Sequence, residues 1–71
     1  MDILQKLYDS EINFSISTFW DGGFEAKLGD VINGFSHHGS FESMNGAIIA
    51  LTAWALIEYP NSKFSKEIKS N

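Results

Sequence analysis

From Glu11 to Trp20 the chain alternates with period two. Ile12, Phe14, Ile16, Thr18 and Trp20 fall on one side, and Asn13, Ser15, Ser17 and Phe19 on the other. Such alternation predicts a half-buried strand. Asp21-Gly22-Gly23 interrupts it, and Phe24, Ala26 and Leu28 resume the apolar phase. A two-residue loop would pair Phe19 with Phe24 and Ile16 with Lys27, mixing the faces. A three-residue loop pairs Trp20 with Phe24, Thr18 with Ala26 and Ile16 with Leu28, which keeps the apolar sets together. Hairpins of this kind place a left-handed glycine after a type I turn, and Gly23 fits that position. Gly29-Asp30 closes the second strand, Asn33-Gly34 signals another turn, and Phe35 to Gly39 reads as a third strand. The centre of the chain is therefore an antiparallel meander.

Helical spacing brackets it. Ile3, Leu4, Leu7 and Tyr8 form one stripe over residues 2–10, with Asp2 as N-cap and Gln5 placed to complete a capping box. A second helix runs from Met44 to about Tyr59, capped by Ser43 and stopped by Pro60. Met44, Ala47, Ile48, Leu51 and Ala55 share the face expected to cover the sheet, with Trp54 at its margin. Ile49, Ala53, Leu56 and Ile57 lie on the far side, which is also apolar. A helix that is hydrophobic all round is normally buried all round. Either Ile3, Leu7, Tyr8 and Phe64 cover this second side, or another chain does. Residues 60–71 are polar apart from Phe64 and Ile68 and read as a loosely held tail. The expectation is one α+β domain over 1–71, ordered α-β-β-β-α, with one long C-terminal helix on the sheet.

Size sharpens the question of partners. A chain of 71 residues has a core that rarely contributes more than ~3–5 kcal/mol net unless something staples it. Cysteine is absent, so neither a disulfide nor a thiolate metal site is available. The staple that remains is another chain, a second copy or a partner. Net charge is −4, every positive charge is a lysine, and arginine is absent. That balance argues against direct nucleic-acid binding, which relies on basic patches and arginine forks. The longest apolar stretch, Ala47 to Ile57, falls short of the ~20 residues a membrane span needs. No basic segment followed by an apolar run marks a secretory signal, so a cytoplasmic location is expected.

Candidate chemistry is sparse. His37 and His38 are adjacent on a strand and point to opposite faces, which does not suit a shared metal. Asp21, Glu25 and Asp30 cluster on the hairpin, but Asp21 and Asp30 are turn formers and Glu25 is solvent-facing. The serines lack a nucleophile elbow, and Gly22-Gly23 is not followed by a helix that would hold phosphate. No catalytic residue, cofactor site or metal site is assigned, and no enzyme is expected. Exposed aromatics and apolar helix faces are favoured at protein interfaces. The candidate protein-interface residues are Phe19, Asp21, Glu25, Ile49, Ala53, Leu56 and Ile57.

Residues 14–59 resemble the HicB-type antitoxin fold through Asp21-Gly22-Gly23-Phe24, Ala26, Asp30, Gly34, Gly39 and Ala47. Neither proline of that family's turn is present, and Met44-Asn45-Gly46 replaces its acidic helix start. The chain is also similar to small bacterial and phage proteins sharing an F-W-D-G-G … L-G-D … N-G-F pattern. The resemblance implies a non-catalytic protein that binds and restrains another protein. That partner would be a small nuclease, as for an antitoxin, or a host defence complex such as CRISPR machinery, as for a phage inhibitor. An acidic surface suits a partner whose working face is basic. A self-associating structural domain is the competing class, and an enzyme of the same fold the third.

Overall fold

The computed structural model describes residues 2–70; Met1 and Asn71, the ends of the expected domain, lie outside the described residues. The element order is α1 (Ile3–Asp9), β1 (Phe14–Phe19), β2 (Gly23–Asp30), β3 (Gly34–Phe41), α2 (Met44–Glu58) and α3 (Lys63–Lys69). The strands form one antiparallel sheet in the order β1-β2-β3. The α+β class and the meander are as the sequence predicts, but the C-terminal part holds two helices instead of one.

Local chemistry accounts for the ends of α1. The Asp2 carboxylate accepts the Gln5 backbone N–H at 3.1 Å. The Gln5 side chain does not reach back to complete a capping box; it donates to Asp9 Oδ1 at 2.9 Å. At the other end the Glu11 N–H donates to the Tyr8 carbonyl and the Ile12 N–H to the Leu7 carbonyl, each at 3.0 Å. This is a Schellman cap, and Ile12 and Leu7 supply the buried apolar contact that accompanies it. Its left-handed position is normally glycine, yet here it is Glu11, at φ +60°.

The first hairpin keeps the predicted faces and changes the register. Phe19 pairs with Gly23, Thr18 with Phe24, Ile16 with Ala26 and Phe14 with Leu28. The loop is still three residues, but it is Trp20-Asp21-Gly22, closed by a Gly22 N–H to Phe19 carbonyl bond at 2.8 Å. Each strand is displaced by one residue from the expected pairing, so the apolar sets still coincide. Gly23 takes the positive φ expected of it, +89°. A Cβ there would sit 2.5 Å from the Phe41 carbonyl oxygen, so the turn is fixed by its neighbour strand. β3 is longer than Phe35–Gly39, and a bulge between Leu28 and Gly29 adjusts its pairing.

The core lies between the sheet and α2. Ala26 and Leu28 of β2 and Ala47, Leu51 and Ala55 of α2 are fully buried. Of the other expected core residues, Ile48 is half-buried and Met44 sits exposed at the helix start. The small side chains let α2 approach β2 and β3 closely, and Trp54 closes the β3 side. Trp54 stacks on His37 with ring centroids 5.6 Å apart and lies tilted against Phe41. His37 Nε2 also meets Glu58 Oε1 at 2.8 Å, tying β3 to the end of α2.

The polar run expected as a loose tail is α3. Ser62 caps it, accepting the Ser65 N–H at 3.1 Å, and both serine hydroxyls join the Ser62 N–H in donating to the Tyr59 carbonyl just before Pro60. Phe64 is fully buried in the main core. Lys6 and Glu67 join α1 to α3 at 2.6 Å. Phe64 docks this short helix, with Ile68 partly buried against the same core.

Two substitutions test this account. Phe64→Ala removes a filled core position worth ~3–5 kcal/mol, comparable to the whole expected stability, so urea titration should find the chain largely unfolded. Glu11→Gly should instead raise stability by ~0.5–1 kcal/mol, because it relieves a left-handed residue and removes a negative charge from a helix C-terminus. An unchanged urea midpoint would refute the strained-cap assignment.

Candidate functional site

α2 leaves one side bare. Ile49 and Ile57 are 69% and 66% exposed, Ala53 is exposed and Leu56 half-buried. Ile49, Ala53 and Leu56 line an open apolar groove with Ile48, Thr52 and Ile3 of α1. Ile57 flanks this groove on the same helix without lining it. Of the residues expected as an internal cover, Leu7 and Phe64 enter the core, Ile3 lines one wall of the groove, and Tyr8 is 74% exposed. The cover is partial, and the outer ridge of α2 stays in water.

A second surface forms at the β1–β2 turn. Phe19 and Asp21 line a cleft of about 410 Å³ with Trp20, Glu42 and the turn glycines. Trp20, expected on the core face opposite Phe24, is 98% exposed. The register displacement puts it in the turn, beyond the last paired residue. Glu42 reaches this cleft because β3 runs alongside Gly23, and no local sequence signal marks it. Glu25 stands apart from both surfaces, 3.6 Å from Lys27, on strand positions aligned with Ser17 and Ser40. Lys27 Nζ also lies 5.1 Å from the Phe35 ring centroid. The seven candidate interface residues thus fall in three places and not one.

The β2–β3 turn adds a feature that the sequence reading passed over. Val31 and Ile32 are 87% and 89% exposed, held out by Asp30. Its carboxylate accepts the Asn33 and Ile32 backbone N–H groups at 2.7 and 2.9 Å and the Asn13 amide at 2.8 Å. These bonds hold the Asp30 carboxyl below its ordinary range, the Asn33 N–H contributing most, then the Asn13 and Asn33 amides, then the Ile32 N–H. Two β-branched residues between Asp30 and Asn33-Gly34 are the signal available in the sequence, since turn tips are seldom apolar. His38 is exposed while His37 is engaged with Trp54 and Glu58, so the adjacent histidines do point to different surroundings.

Comparison of the chain with protein families, with characterised proteins and with solved structures finds no match. Geometry and surface chemistry carry the functional argument.

The Asp30 turn has a defined pH dependence. Its carboxyl binds protons less readily folded than unfolded, so its contribution to stability is complete above the unfolded value of ~3.9 and is lost as pH falls through the lower folded value. Glu67, held low chiefly by its bond to Lys6, acts in the same direction. Asp30→Asn should flatten, without abolishing, the fall in urea midpoint between about pH 5 and pH 2. An acid limb identical to that of the unsubstituted chain would remove Asp30 from this role.

Proposed function

We propose that the chain is a non-catalytic protein-binding module that restrains another protein. The partner class is a nucleic-acid-handling protein or complex: a small nuclease, as for an antitoxin, or a host defence complex such as CRISPR machinery, as for a phage or prophage inhibitor. The observation that carries this reading is the bare ridge of α2, where Ile49 and Ile57 stay mostly in water beside an apolar groove. Burying such side chains is worth ~1.5–3 kcal/mol each, more than a core this small can readily forgo. Contiguous exposed apolar surface marks interaction sites. The net charge of −4 supports a partner with a basic face, since complementary fields raise association rates. The HicB-like turn and packing residues point the same way.

One observation favours a second reading, self-association through the same ridge. From Ser43 to Ile57 the sequence holds no ionisable side chain, so two acidic copies could meet there without opposing charges.

The two readings separate on one pair of substitutions. Ile49→Lys with Ile57→Lys changes exposed positions and should leave the circular dichroism spectrum intact. Used as bait in extracts of the native host, the doubly substituted chain should lose its partner's affinity by about tenfold or more. Equal capture by both forms would sink the assignment of this ridge. A wild-type chain that recovers only itself, with light scattering that shifts with concentration, would favour self-association.

A further inference from the structure

We propose that the β1–β2 turn is a receptor for a cationic side chain, arginine foremost, presented by the protein partner; this rests on the binding-module reading and names the partner's chemistry at one point. Three observations combine. Trp20 is almost wholly in water and Phe19 about half, so two π faces stand at one tip. Asp21 and Glu42 line the same cleft, and neither has an ion-pair or hydrogen-bond partner among the described residues. Finally, the tip is held in place: Gly22 closes the turn, and Gly23 packs directly against the Phe41 backbone.

The chemistry of the cleft selects among occupants. Aromatic faces attract cations, tryptophan most strongly. A guanidinium can stack on an indole while its N–H fork pairs with a carboxylate, which an ammonium cannot do in the same way. An apolar side chain would strip water from two carboxylates with no compensating bond, and an anion would be repelled. Among the described residues no basic side chain lines the cleft, and Lys27 and Lys6 are engaged with Glu25 and Glu67. A second copy could bring only lysine, because the sequence contains no arginine. The fixed turn means that little ordering accompanies capture.

The test is a nuclear magnetic resonance titration of the full ¹⁵N-labelled chain. The probes are three capped Gly-X-Gly-X-Gly peptides, with X arginine, lysine or citrulline; citrulline keeps the shape of arginine without its charge. The Trp20 indole N–H, assigned with Trp20→Phe, is the reporter, and the Trp54 indole, packed on His37, is the internal control. The arginine peptide should shift the Trp20 signal saturably with a Kd of about 1 mM, as a single-residue contact allows. The lysine peptide should bind several-fold more weakly and the citrulline peptide not measurably. Asp21→Asn with Glu42→Gln, both at exposed positions, should weaken arginine binding about tenfold with the Trp54 signal unmoved. Equal binding of the citrulline peptide, undiminished binding by the doubly substituted chain, or a static Trp20 signal would each overturn the proposal. The bait experiment is independent of this titration. A static Trp20 signal beside a captured partner rejects only the arginine receptor, whereas failure to capture any partner counts against the binding-module reading alone.

Discussion

The close seating of α2 on the sheet is the constraint from which the rest of the structure follows. Ala47, Leu51 and Ala55 lie against Ala26 and Leu28, all fully buried. Four turns of helix spend only this narrow stripe on the sheet. The sheet in turn keeps its opposite face for Ser15, Ser17, Glu25 and Lys27, as the pleat requires. α1 and α3 then close the flank, with Leu7 and Phe64 as their wedges into the same core. With α2 fixed in this way, the bare ridge at Ile49 and Ile57 is a geometric necessity: no element remains in residues 2–70 to lay over it.

The molecule is thin as well as small, 37 × 29 × 17 Å. Its accessible surface, 4794 Å², is somewhat above the ~4,400 Å² that size scaling gives for a compact monomer of this mass. A flat body leaves much of its apolar inventory in water, Trp20, Val31 and Ile32 at its turns and Ile49 and Ile57 on the outer side of α2. The two turn tips and the helix ridge are separate outposts of that surplus. They differ in character: the ridge is uncharged, whereas the β1–β2 tip mixes aromatic rings with carboxylates.

Much of this was legible in the sequence, and the omissions have physical causes. Period-two alternation and the helical wheel read the local backbone correctly, because each depends on near neighbours alone. Hydrophobic phase fixes only the parity of strand pairing, so Trp20 opposite Phe24 and Phe19 opposite Gly23 satisfy it equally. What decides between them is the approach of Gly23 to Phe41, a contact between residues far apart in the chain. α3 was hidden for a similar reason. Ser62 and the Phe64–Ile68 spacing are a faint helix signal, and the helix is held by a core assembled from α1 and α2. The exposed ridge of α2 was visible as a second apolar face; Glu42 beside Trp20 was not, since only the return of β3 brings them together.

The glycines of the meander have a consequence for how such a chain can change. A Cβ at Gly29 would run into the Gly34 carbonyl oxygen, as one at Gly23 would meet that of Phe41 at 2.5 Å. The frame is therefore fixed by backbone against backbone, at positions that tolerate no side chain. Trp20, Asp21, Val31 and Ile32, which project from the same two turns, contribute little to the frame through their side chains. Mutational drift is thus channelled: the fold can persist unaltered while the chemistry displayed at its tips changes.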